Sequence, residues 1–368
     1  MKSLLDSVKK EGYVTPTAIQ YQSIPHILNG KDLFGCAQTG TGKTAAFALP
    51  LLQMIMKEKA TGSRRGISAL VLAPTRELAV QINESFRTYG RTTGIRNTCV
   101  YGGIPQRAQV TALKQGIDVL IATPGRLLDL IQQRIVNLDE VRYFVLDEAD
   151  RMLDMGFIDD VKRIHHFLPN KKQTVLFSAT ITTEIKKLAA SMMSMPVSVS
   201  VMPEAIASGQ VTQSVYFVKK EDKRGLLQHV IQHGSVDNAL VFTRTKHGAD
   251  KVARSLVKNG IKAEAIHGDK SQNKRETTLK GFKNGVIRVL VATDIASRGI
   301  DIDNLSHVIN YEIPETPTTY VHRIGRTGRA GSKGIALSFC SADEKPYLSS
   351  INKLIRKEIN VVKIHPFS

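Results

Sequence analysis

Short apolar runs recur along the chain, each ending in a cluster of small, polar or glycine residues. In the first half they are "DLFGCAQTG", "SALVLAPTRE", "IDVLIATPGR", "YFVLDEAD" and "TVLFSAT". In the second they are "ALVFTRT", "AEAIHGD", "IRVLVATD", "HVINYEIP" and "GIALSFC". Between them lie stretches such as "RELAVQINESFRTYG" and "KHGADKVARSLVKNG", with apolar residues three and four apart, the spacing of one helix face. Continuous Val/Ile/Leu runs alternating with helices predict an α/β fold whose mostly parallel sheets are covered by helices on both faces. Such sheets bind ligands beyond the carboxyl ends of their strands, so the polar clusters are where chemistry is expected.

The alternation lapses at "MPEAIASGQVTQ" (202–213), rich in small residues with a proline and a glycine. At 368 residues the chain is long for a single core. We therefore expect a first domain over 1–205, a linker over 206–212 and a second domain over 213–368. The halves share a rhythm of elements without a sequence repeat.

Charge narrows the partners. With 51 Lys+Arg against 33 Asp+Glu the chain carries a net +18, and the shorter second half is the more basic. Nucleic acid is the leading candidate, because its phosphates reward a basic surface by releasing counterions. No lysine-rich amphipathic helix suits an anionic membrane, and no apolar run approaches membrane-spanning length. The opening "MKSLLDSVKKEGY" has no apolar signal-type core. Cys36, Cys99 and Cys340 are far apart with no CxxC pair, which argues against a disulfide framework or zinc site. A soluble, cytoplasmic, monomeric protein without a membrane partner is expected.

"AQTGTGKT" (37–44) stands between an apolar run and the helical "AAFALPLLQMIM". This is a phosphate-binding loop context, although Ala37 replaces the usual first glycine. Backbone amides around Thr39, Gly40, Thr41 and Gly42 would cradle phosphates, Lys43 would reach the β/γ oxygens, and Thr44 would offer a hydroxyl to magnesium. Such a site needs an acid at a neighbouring strand end. Asp147 of "YFVLDEAD" is placed to hold the metal, through water, and Glu148 to orient or deprotonate the attacking water.

Seven segments then occur in a telling order: "AQTGTGKT", "PTRELA" (74–79), "TPGR" (123–126), "DEAD" (147–150), "SAT" (178–180), "ATDIASRGID" (292–301) and "HRIGRTGR" (322–329). Together they resemble the DEAD-box ATP-dependent RNA helicases, with "NYEIP" most like the bacterial RhlE-like branch. The resemblance implies two tandem RecA-like domains with ATP and Mg2+ in the inter-domain cleft and RNA lying across both.

Residue by residue, it implies that Gln20 of "GYVTPTAIQ" (12–20) reads the adenine edge and Tyr13 stacks on the ring. The family's further base-packing aromatic would fall before residue 1, which implies a missing segment or a slightly weakened grip on adenine. Ser178 and Thr180 would couple hydrolysis to strand separation by bonding the DEAD segment, in a network joined by Asp150, His322 and Arg323. RNA would be held by Arg76, Gly102, Gly103, Thr123 and Arg126 of the first domain. From the second would come Arg244, Gly268, Gln272, Arg275, Thr293 and Asp294. These groups suit phosphate and sugar rather than base edges, so a sequence-independent grip on single strands and short duplexes is expected. Gly299 and Asp301 would reach the nucleotide from the second domain, and Arg326 and Arg329 would act as catalytic arginine fingers.

The implied function is RNA-dependent ATP hydrolysis driving local, non-processive duplex opening. An ATP-gated RNA clamp is the alternative that the same residues would serve. Two other features get plain readings: His165–His166 as helix surface, and "SMMSMP" (191–196) as core filler near a helix end.

Overall fold

The computed structural model describes residues 2–37, 40–62, 66–201, 211–297, 305–328 and 333–368. The chain divides into two compact units, Met1–Met202 and Pro203–Ser368. The expected linker 206–212 lies outside the described residues except for Val211 and Thr212, which open a strand instead.

In the first unit the apolar runs become β1 (Leu33–Cys36), β2 (Ala69–Leu72), β3 (Asn97–Val100), β4 (Val119–Ala122), β5 (Tyr143–Leu146), β6 (Gln173–Ser178) and β7 (Val197–Ser200). They form one sheet in the order β3-β4-β2-β5-β6-β1-β7, every pairing parallel. The helices are α1 (Lys2–Lys10), α2 (Ala18–Leu28), α3 (Lys43–Ala60), α4 (Arg76–Gly90), α5 (Arg107–Lys114), α6 (Pro124–Gln132), α7 (Ala149–Asp154), α8 (Ile158–His166) and α9 (Thr183–Met192).

Strand side chains alternate between two apolar clusters, because successive residues of a strand point to opposite faces. Val71, Ile121, Val145 and Phe177 enter one cluster with Phe47 of α3 and Phe86 of α4. Leu70, Leu120, Phe144 and Leu176 enter the other with Leu127 of α6 and Val161 of α8. Each fully buried side chain of this size contributes about 1.5–3 kcal/mol. Burial on both faces is why the strands read as unbroken apolar runs.

The second unit repeats the plan. Its strands are β8 (Val211–Phe217), β9 (Ala239–Phe242), β10 (Ala263–Ile266), β11 (Val289–Ala292), β12 (His307–Asn310), β13 (Gly334–Cys340) and β14 (Asn360–Val361). The all-parallel order is β10-β11-β9-β12-β13-β8-β14, the first sheet's order with each number raised by seven. Around it lie α10 (Lys223–His233), α11 (Lys246–Lys258), α12 (Gln272–Lys283), α13 (Asp294–Ser297), α14 (Pro317–Ile324) and α15 (Lys345–Ile355). Among the described residues, no helix is long and apolar enough to cross a membrane.

The plain readings fare unevenly. Met192 is buried, but Met195 is 91 % exposed, so "SMMSMP" is only partly core filler. His165 is half-buried beside Phe144, and its pKa is lowered to about 4, chiefly by burial, so the ring is neutral.

Candidate nucleotide and RNA sites

The motif residues fall at carboxyl ends of strands and divide by position in the sheet. In the first unit, β1, β6 and β5 are consecutive across the sheet and end in the phosphate-loop, SAT and DEAD segments. On the other side, β2, β4 and β3 end near Arg76, Thr123–Arg126 and Gly102–Gly103.

At the phosphate loop, Gly42 caps α3 in a left-handed conformation, φ +89°. A Cβ there would lie 2.4 Å from Gln20 Nε2, so both space and backbone demand glycine. No side chain of Gly42 caps the helix, the arrangement in which the orphan amides of a first helical turn can serve a phosphate. The loop is braced from α2. Thr17 Oγ1 donates to the Thr41 carbonyl at 2.8 Å, and Gln20 Nε2 donates to the Gly42 carbonyl at 3.2 Å. Gln20 Oε1 accepts from Thr17 N at 3.0 Å. Gln20 is only 3 % exposed and holds the phosphate loop. Tyr13 bonds Tyr89 hydroxyl to hydroxyl at 2.9 Å, with the rings edge to face.

Lys43 and Asp147 are both buried, yet among the described residues Lys43 Nζ and Asp147 Oδ1 have no hydrogen-bond partner. Buried polar atoms left like this are costly and call for a partner. Burial lifts the Asp147 pKa to about 6, with Lys43 opposing and Glu148 reinforcing the rise. An ammonium and a carboxylate oxygen, with the partly exposed Thr44 on the first turn of α3, fit nucleotide phosphates and a water-ligated Mg2+. Glu148 follows in the left-handed conformation, φ +57° and ψ +53°, with its carboxylate 3.0 Å from Arg151 Nη1.

The SAT and DEAD segments are directly joined. Thr180 Oγ1 donates to Asp150 Oδ2 at 3.1 Å, and Ala179 N donates to the same oxygen at 3.2 Å. Ser178 Oγ turns instead to the Thr180 carbonyl at 2.7 Å and shapes its own segment.

On the other side of the sheet, the Arg76 guanidinium lies against Gly103. A Cβ on Gly103, whose φ is +80°, would sit 2.1–2.3 Å from it. Arg126 Nη2 donates to the Ile104 carbonyl at 3.2 Å, and its Nε lies 3.6 Å from Asp129. Thr123 is buried at the start of α6 without capping it. The structure thus gathers Arg76, Gly102, Gly103, Thr123 and Arg126 at neighbouring strand ends.

The second unit uses the equivalent strands. Arg244 follows β9, Gly268 follows β10 with Gln272 and Arg275 on α12, and Thr293 and Asp294 follow β11. Several of these side chains already have protein partners. Arg244 Nη2 lies 3.4 Å from Glu344 Oε1, a carboxylate that also bonds the buried Lys223 at 2.5 Å. Gln272 Nε2 donates to Glu276 at 2.9 Å. Asp294 gives both oxygens to Arg323, at 2.6 and 2.8 Å.

Arg323 is 2 % exposed and also donates to Asn310 Oδ1 and the Glu312 carbonyl, at 3.0 and 2.8 Å. Its guanidinium stacks over Phe242, 4.9 Å from the ring centre. It therefore locks three strand ends within its own unit. His322, partly buried, precedes it on α14, and Arg326 is buried in the turn after that helix. Thr39, Gly299, Asp301 and Arg329 lie outside the described residues.

Sequence reasoning missed Thr17, Arg151, Asn310 and Glu344. Only Arg151 had a visible signal, a charge opposite to Glu148 three residues on.

The two halves of this arrangement match known families. Residues 17–188 match the DEAD/DEAH box helicases, and residues 222–331 match the helicase conserved C-terminal domain. The chain is 44 % identical over 356 residues to the ATP-dependent RNA helicase CshA of Limosilactobacillus reuteri, covering 96 % of this chain and 70 % of that one. It is 45 % identical over 360 residues to the DEAD-box ATP-dependent RNA helicase CshA of Streptococcus pneumoniae serotype 4, covering 98 % and 68 %. Among solved structures it resembles S. cerevisiae Dbp5 bound to RNA and ADP BeF3, with TM-score 0.87, 31 % identity and coverage of 98 % and 93 %. DEAD-box helicase Mss116 bound to ssRNA and UDP-BeF gives TM-score 0.88 at 29 % identity, with coverage of 100 % and 78 %. The chain belongs to the DEAD-box helicase family.

Proposed function

We propose that the chain is an RNA-dependent ATPase that uses ATP binding and hydrolysis to open or remodel short RNA duplexes. The observation that carries this reading is a pair of buried atoms with no hydrogen-bond partner among the described residues, Lys43 Nζ and Asp147 Oδ1, beside a braced phosphate loop. The RNA- and nucleotide-bound relatives support the same reading.

In this mechanism the α3 amides and Lys43 bind the phosphates, and the Thr17–Gln20 brace keeps the loop in shape. Mg2+, when bound near Thr44 and Asp147, would neutralise charge on the β- and γ-phosphates. Glu148 orients the attacking water and accepts its proton. Arg326 and Arg329 of the second unit supply positive charge to the γ-phosphate, with Gly299 and Asp301 on the nucleotide and His322 in the coupling network. Gln20 and Tyr13 are the adenine-side residues of the proposal.

RNA is held through phosphate and sugar at Arg76, Gly102, Gly103, Thr123 and Arg126, and at Arg244, Gly268, Gln272, Arg275 and Thr293. For Asp294 only the backbone is offered, since Arg323 engages its carboxylate. We also propose domains over 1–205 and 213–368, a monomeric state and a cytoplasmic location. "NYEIP" suggests a RhlE-like branch, beside bacterial relatives that carry the name CshA.

Strand displacement tests it. A short RNA duplex should open with ATP and not without it, and a long duplex should resist opening in a single binding event. Equal opening with and without ATP would refute the reading.

A further inference from the structure

We infer that Arg151 is a positioning residue for ATP hydrolysis, fixing the carboxylate of Glu148 where it can receive the proton of the attacking water. The inference rests on the proposed role of Glu148.

Three observations on the DEAD turn carry it. First, Glu148 is one of few non-glycine residues with positive φ among those described. A left-handed residue of this kind is strained, and it persists only where its surroundings over-determine it. Second, this strain sits where β5 ends at Leu146 and α7 starts at Ala149. The turn gives two adjacent carboxylates different surroundings: Asp147 Oδ1 is buried with no hydrogen-bond partner among the described residues, and Glu148 accepts from Arg151. Third, the Glu148–Arg151 pair is buried, with side-chain exposures of 8 % and 4 %, and its 3.0 Å contact is a charge-assisted hydrogen bond.

A buried charge pair gains little net stability over apolar packing. It does fix geometry, because neither charge can leave its partner without exposing the other to a poor environment. Arg151 itself is rooted in α7, on whose first turn Asp150 binds Thr180 and Ala179. The residue that orients Glu148 thus shares one helical turn with the residue joined to the SAT segment. A base held this way needs no reorganisation at the moment of proton transfer. Removing the guanidinium takes away this buried charge partner of Glu148 and loosens the carboxylate's placement, and misplacement of a catalytic group by about 1 Å can cost about a hundredfold in rate.

The test uses single-turnover ATP hydrolysis at saturating RNA, with ATP and RNA affinities measured alongside, for the full chain. Arg151→Met keeps bulk without charge, Arg151→Lys keeps charge without the fork, and Glu148→Gln is the reference. We expect Arg151→Met to slow hydrolysis by about ten- to a hundredfold. Both affinities should stay near those of the unaltered protein, and Arg151→Lys should recover much of the rate. Arg151→Met at the normal rate, with Glu148→Gln inactive, would overturn the role of Arg151 alone. Equal losses of rate and affinity in both Arg151 variants would also overturn it, by showing structural support only. Glu148→Gln at the normal rate would overturn the reading of Glu148 beneath it.

Discussion

Thr180 Oγ1 and Asp150 Oδ2 stand 3.1 Å apart, joining the end of β6 to the first turn of α7 across 30 residues of sequence. Ala179 N donates to the same oxygen, so the carboxylate holds the SAT segment by one side-chain and one backbone bond.

Thr180→Val removes the side-chain bond and keeps the shape. Since neither Lys43 nor Asp147 is touched, ATP affinity should be unchanged while duplex opening per ATP hydrolysed falls. Parallel measurement of ATPase rate and strand displacement checks this. Equal loss of both would place Thr180 in the hydrolysis step instead.

Asp147 gives a pH dependence of defined sign. Its folded pKa, about 6, lies above the ordinary value of 3.8, so the folded nucleotide-free protein holds this proton more tightly than the unfolded chain. Stability from this group is therefore present below about pH 4 and is lost as pH rises through about 6. Asp147→Asn, uncharged throughout, should stabilise the nucleotide-free protein at pH 7.5 by about 1–3 kcal/mol. The gain should vanish near pH 4, and denaturant midpoints at the two pH values read it directly.

Arg323 and Asp294 separate a structural from an RNA-binding role. Arg323→Met leaves a carboxylate without its guanidinium and should cost about 3 kcal/mol of stability in the second unit. Asp294→Asn should lower stability too, while RNA affinity under conditions where the protein is folded changes little. A large loss of RNA affinity with unchanged melting would place the Asp294 side chain among the RNA contacts.

Gly103→Ala should displace the Arg76 guanidinium, which occupies the space a Cβ would need. The added strain at positive φ costs about 1–2 kcal/mol. RNA affinity should fall alike for unrelated sequences, since phosphate contacts carry no base information. ATP affinity without RNA should hold. Filter binding with two unrelated RNAs at fixed salt decides it.

The fold was legible because strands buried on both faces cannot hide their apolar runs. The phosphate loop and acid pair were legible because their chemistry tolerates few residue types at few spacings. Gln20 was not: a glutamine early in a helix reads as surface, and its loop partner Gly42 lies 22 residues away. For Arg323 the resemblance implied only a place in the coupling network; its actual partners Asp294 and Asn310 lie 29 and 13 residues off, beyond the reach of local pattern. Arg244 likewise gave no sign of Glu344, 100 residues further on. Local pattern shows which strand end a residue occupies, and only tertiary packing decides what its side chain faces.

The central claim is that ATP hydrolysis depends on RNA. The most direct measurement is the steady-state ATPase rate with and without single-stranded RNA, at saturating ATP and a fixed, low salt concentration, because the phosphate grip weakens with salt. A low rate alone, a several-fold rise with RNA, and a loss of that rise as salt increases are expected. A rate indifferent to RNA at low salt would contradict it.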